Sequence, residues 1–138
     1  MKANFNDFIS DNPNYSKFAN SILARQIFAI LSEDKNIIKM LEYADADIPP
    51  LFSCIKNIEN AFDNFANPDL DLAKDFDRQG IGRMVKTVLL PFGYTKAVES
   101  KKIVPKQLGT KYFKTASRFK FDENSLRTMR VVKIIEEI

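Results

Sequence analysis

Up to Phe92 the apolar residues of this chain recur at three- and four-residue spacings, and after Tyr94 they begin to alternate with polar ones. The first period belongs to helices and the second to half-buried strands, so the order of elements is constrained before packing is considered. The clearest helix carries Leu51, Ile55, Ile58, Phe62 and Phe65 on one side, with Lys56, Asn57, Glu59, Asn60 and Asp63 on the other. Such a stripe is expected to face the core. Asn67-Pro68 ends it.

Other segments follow from the same rule. Phe5, Phe8 and Ile9 make one apolar helical turn. Asp11-Asn12-Pro13 reads as a helix start, and Phe18, Ile22, Leu23, Ile27, Ile30 and Leu31 predict one helix from Tyr15 to Leu31. Ser32 is expected to cap a shorter helix bearing Ile37, Ile38, Met40 and Leu41, which Pro49-Pro50 ends. Asp69 and Asp71 open a short helix with Leu72 and Phe76, where acids complement the helix dipole. Gly80-Ile81-Gly82 is read as a break before a helix that runs toward Leu90. On a 100° wheel this helix turns Ile81, Val85, Val88, Leu89 and Phe92 inward and Arg83, Lys86, Thr87 and Leu90 outward. Pro91 and Gly93 close it. Strands are expected over residues 95–104 and 113–121, joined by a loop containing Gly109, and a last helix carries Leu126, Met129, Val132 and Ile135. The predicted class is α+β, mostly helical.

Charge is distributed unevenly along this pattern. Residues 1–69 hold six basic and ten acidic residues, or 6 − 10 = −4, whereas the whole chain is at +3. Between Arg78 and Phe121 stand eleven basic residues against Glu99 alone, or 11 − 1 = +10. Tyr94, Tyr112, Phe113, Phe119 and Phe121 are interleaved with them. Ordinary surfaces mix both signs, so a field of one sign points to an anionic partner. The chain divides on this basis into an acidic helical region, 1–68, and a basic region, 69–138, which can also pack as one domain.

Several chemistries are disfavoured. There is no histidine, the commonest general base and metal ligand. Cys54 is the only cysteine, which excludes an internal disulfide and suits a reducing, cytoplasmic setting. No apolar run approaches the roughly 20 residues of a membrane helix, and the first residues carry no secretory h-region. Gly80-Ile81-Gly82 lacks the third glycine of a dinucleotide site, and Asp45 and Asp47 lack the spacing of a calcium loop. Pro68-Asp69 followed by Glu99-Ser100-Lys101 looks like the Pro-Asp…Glu-x-Lys pattern of restriction-type nucleases, whose acids hold Mg²⁺ from neighbouring strands. Asp69 is expected at a helix start instead. No cofactor, metal or catalytic residue is therefore assigned.

The order of helix, tight turn, strand, loop and strand across residues 78–121, with Ile81-Gly82-Arg83-Met84-Val85-Lys86 and Phe92-Gly93-Tyr94, resembles the winged-helix units of phage and plasmid replication proteins. That resemblance implies a C-terminal winged-helix-like unit with a small β-hairpin, and a DNA-binding rather than enzymatic role. Arg83, Lys86 and Thr87 would then face duplex DNA, and Lys101, Lys102, Lys111, Lys114, Arg118 and Lys120 would lie on or beside the wing. The N-terminal helices would serve a homodimer or protein contact. The alternative expectation is an interaction module that docks an acidic protein on the same basic face.

Overall fold

The computed structural model describes residues 2–97 and 110–124 of the chain. Asn4 starts the first helix, α1 (Phe5–Asp11), through a reciprocal capping box: its side-chain oxygen accepts from the Asp7 N–H at 2.9 Å, while the Asp7 carboxylate accepts from the Asn4 N–H at 2.8 Å. Two backbone donors that a helix start would leave unpaired are thereby satisfied. Phe8 is buried, so the expected apolar turn does dock on the core.

The single helix expected from Tyr15 to Leu31 is divided in two. Pro13–Asn20 winds as 3-10 turns with Tyr15 outside helical geometry, and α2 (Ile22–Ser32) starts afresh at Ser21. Ser21 sits in extended backbone, and its hydroxyl accepts from the Ala24 N–H at 2.9 Å. A serine oxygen that can satisfy the next turn's N–H offers the backbone a new start in place of continuation. Ser32 ends α2 rather than capping its successor, and Glu33 precedes α3 (Asp34–Asp45). Pro50–Ser53 forms another 3-10 turn that buries Leu51 and Phe52, so α4 is only Ile55–Asp63. Ile55 and Ile58 are buried as expected, while Phe62 and Phe65 are only partly so and pack at the edge of the core.

The long helix α5 (Asp75–Leu89) runs uninterrupted through Gly80 and Gly82, where a break was expected. Gly80 is needed for close approach: a Cβ there would lie 2.5 Å from the Phe18 ring. Phe18 in turn meets Phe8 at 6.0 Å and Tyr15 at 5.5 Å between ring centroids, and Tyr15 meets Phe76 at 4.5 Å. One apolar cluster joins Phe8 and Phe18, through α2, α3 and α5, to Phe113 and Phe119. It thus draws on both the acidic and the basic stretches of sequence.

Beyond α5, Leu90–Phe92 makes a short 3-10 turn and Gly93 takes the left-handed conformation (φ 85°) that favours glycine. Two short strands follow, β1 (Tyr94–Lys96) and β2 (Phe119–Phe121), antiparallel with Tyr94 opposite Phe121 and Lys96 opposite Phe119. The expected strand over 113–121 therefore shrinks to the three residues of β2, with Ala116 in a separate single bridge. Phe113 and Phe119 are buried, but Phe121 stays 51% exposed. Alternation marks a strand only where a neighbour continues the ladder, and β1 pairs here over three residues. Residues 98–104 of the other expected strand, and the last helix from Leu126, lie outside the described residues.

The sheet is tied to the acidic stretch at two points. The Tyr94 hydroxyl donates to Asp45 at 2.7 Å, and Arg118 pairs with Asp47 at 2.7 Å. Burial first, then the hydrogen bond to Asp45 and that carboxylate's charge, pushes the Tyr94 phenol from 10 up to about 12. Ionisation is harder in the folded state, so the stabilisation is fully present below pH 10 and is lost as pH rises through about 12. Tyr94→Phe should remove this component. Urea melts across that interval are expected to show a shallower alkaline decline for the variant, and equal slopes would refute the assignment.

Candidate nucleic-acid interface

Beyond Phe76, α5 is buried on every side but one. Arg78, Gln79, Gly82, Arg83 and Lys86 form its remaining accessible stripe, spaced by one or three residues along the helix. The segment Tyr112–Ser117 stands across from that stripe, and Lys96 of β1 joins at one end. Between them is a cleft of about 600 Å³, with Leu51, Val85, Phe113 and Phe119 among its apolar lining. Phe113 and Phe119 anchor the facing segment, and the Thr110 hydroxyl donates to the Phe113 carbonyl at 2.7 Å, tightening the turn that leads into it.

Among the described residues five basic side chains line this cleft, Arg78, Arg83, Lys86, Lys96 and Lys114, with Asp75 as the only acid, or 5 − 1 = +4. Asp75 pairs with Arg78, which also donates to the Leu72 carbonyl at 2.6 Å. Arg78 is therefore committed to the start of its own helix. No ion pair among the described residues engages Arg83, Lys86, Lys96 or Lys114. Four cations converging on a concavity without counter-ions among the described residues can take an anion, because a ligand can neutralise their unspent charge.

The residues expected at the interface part company here. Arg83, Lys86 and Lys114 are brought together at the cleft. Thr87 is not: it is buried and its hydroxyl donates to the Arg83 carbonyl at 3.1 Å, so it corrects the wheel reading that turned it outward. The inward arc of α5 is wider than that wheel allowed, since α1, α2, α3 and β1 all pack on the helix. Arg118 is also withdrawn, with only 19% of its side chain exposed and its charge spent on Asp47. Lys120 is exposed in the middle of β2, opposite Thr95, and does not line the cleft. Lys111 is exposed as well; burial and then the Asp63 charge raise the nearby Glu59 carboxyl, and Lys111 opposes that shift only in part. Lys101 and Lys102 lie outside the described residues.

Four cleft residues escaped the sequence reading. Lys96 is one cation among eleven with nothing to distinguish it, and Tyr112 is one of five interleaved aromatics, just outside the strand expected over 113–121. Gln79 and Arg78 were separated from Arg83 by the supposed break. A wheel run unbroken from Asp75 would have placed all three on one stripe.

Asp69 of the nuclease-like pattern accepts from the Ser21 hydroxyl at 2.7 Å, while Glu99, Ser100 and Lys101 lie outside the described residues. Among the described residues no group of three acids or cysteines is placed to hold a metal ion. Cys54 is fully buried, and burial pushes its thiol up, away from the reactive thiolate. Among the described residues no helix is long and apolar enough to cross a membrane. No protein-family model, curated protein or solved structure matches this chain.

Proposed function

We propose that this chain is a non-catalytic nucleic-acid-binding protein whose cleft neutralises backbone phosphates. The observation that carries the reading is the convergence of Arg83, Lys86, Lys96 and Lys114 on one concavity without acidic partners among the described residues. Phosphates are regularly spaced anions, and a row of cations gains affinity by releasing the counter-ions condensed on them. The sequence of α5, a glycine turn and a two-stranded sheet is also the order of elements in a winged helix. Under that fuller reading α5 would lie against duplex DNA, with Lys120 at the flanking backbone.

Phosphate neutralisation fixes the form of the test. Four contacts should give a slope of log K against log salt near −3.6 on duplex, or about −2.8 on a single strand. Lys114→Ala should make the slope shallower by about one and weaken all sequences alike. Lys39→Ala, an exposed change in the acidic stretch, should do neither. Gel shifts with random duplex and single-stranded DNA at low and physiological salt measure both quantities. The proposal fails if neither DNA binds at low salt, or if the two variants behave alike.

A further inference from the structure

We infer that the occupant of the cleft is a single strand of nucleic acid, with one base stacked on Tyr112 and its phosphates running past Arg83, Lys86, Lys96 and Lys114. This deepens the nucleic-acid reading and rests on it.

The shape of the charge decides between duplex and single strand. A helix that reads a duplex enters a major groove about 12 Å wide, itself measuring about 10–12 Å across with side chains. Such a helix must stand clear of its own protein over most of its reading face. The accessible stripe of α5 is instead one wall of a cleft, and residues 112–117 form another. Its cations line a concavity, which admits a rod-shaped duplex less readily than a single strand, whose backbone is flexible and whose bases are free.

Tyr112 supplies what a groove of charge alone lacks. Scattered exposed aromatics are ordinary on a protein surface. This one lines the same cleft as the four cations and is 39% exposed. An accessible ring inside a basic groove is the arrangement on which unpaired bases stack, whatever their sequence. Gly82 adds room: a Cβ built there meets nothing within 4 Å, so the space above α5 between Gln79 and Arg83 is open.

The test is fluorescence anisotropy of the full chain with labelled (dT) and (rU) oligonucleotides of about 20 nucleotides and a duplex of similar length. Single strands should bind more tightly than duplex at equal salt. Tyr112→Ala should weaken single-strand binding by roughly 5- to 150-fold, the worth of one stacked base. Tyr112→Phe, which keeps the ring, should bind as the parent does. Gly82→Leu should remain as stable as the parent, since leucine suits a helix better than glycine, and should bind poorly because its side chain occupies the cleft. The chain has no tryptophan, so Tyr112→Trp makes a sole reporter whose emission should be quenched by (dT). Duplex bound as tightly as single strands, an unaffected Tyr112→Ala, or a Gly82→Leu variant that binds normally would overturn this inference while leaving nucleic-acid binding intact. Absence of binding to all three probes at low salt would instead defeat the broader reading.

Discussion

Phe18→Ala is expected to lower stability by about 3–5 kcal/mol, the usual cost of deleting a fully buried phenyl ring. The ring is completely inaccessible and stands between α1 and α5. On one side it packs against Phe8, and on the other against Gly80, where no side chain is present to move into the void. Partial collapse is the usual route by which such substitutions become milder, and α5 is held on several sides by other elements. Gly80→Ala probes the same contact from the other side. Alanine gains about 1 kcal/mol in helix propensity, but its methyl would stand 2.5 Å from the ring, and overpacking costs about 1–3 kcal/mol. The net effect is expected to be destabilising. Urea melts measure both variants, and a Phe18→Ala loss under about 1 kcal/mol would show that the ring is not part of the core.

The second large effect concerns a carboxylate inside α5. Asp77 has 3% of its side chain exposed; one oxygen accepts from the Asp71 N–H at 2.8 Å, and the other lies 2.9 Å from the Lys17 ammonium without an aligned hydrogen bond. Lys17 sits 4.8 Å from the Phe76 ring centroid and 5.7 Å from that of Phe18, so the rings favour its charge as well. The two partners differ in their access to water, since 53% of the Lys17 side chain is exposed. Losing Asp77 leaves a cation that can hydrate, whereas losing Lys17 strands an anion. Removing one member of a buried pair costs about 3–5 kcal/mol, and the half-exposed lysine places Lys17→Met at or just below the lower end. Asp77→Asn should cost less, because the amide oxygen can still accept from Asp71. The double variant should lose about 1–2 kcal/mol less than the sum of the two single losses, which is the coupling read in a double-mutant cycle. Additive losses in thermal or urea melts would mean the pair has no stabilising interaction to lose.

Neither Asp77 nor Gly80 could be read correctly from the sequence, and for related reasons. Helical periodicity reports which residues could share a face, so it located α4 and the inward side of α5 from Ile81 to Leu89. It does not report what the face meets. Gly80 looked like a helix breaker because glycine is a poor helix former, but a close approach to Phe18 overrides that preference. Asp77 carries no signal of its own in the sequence, and its burial brings it to Lys17, sixty residues earlier. Ser21 carried a legible signal, an N-cap residue within an apolar run, that the run itself obscured. In the cleft, charge counting pointed to a stretch that lines it but could not sort its cations. Asp47 takes Arg118 and Asp75 takes Arg78, and those pairings exist only once the chain has folded.

The two ties at Asp45 and Asp47 bear on how the protein can be handled. A cut at Asn67-Pro68, the natural seam by charge, would part Tyr94 from Asp45, Arg118 from Asp47 and Gly80 from Phe18 at once. The basic fragment would keep every described residue of the cleft except Leu51 while losing what holds its walls in place. The cationic cleft is therefore not a portable cassette. Grafts, minimal fragments and peptide mimics taken from residues 69–138 would carry its charge without its shape.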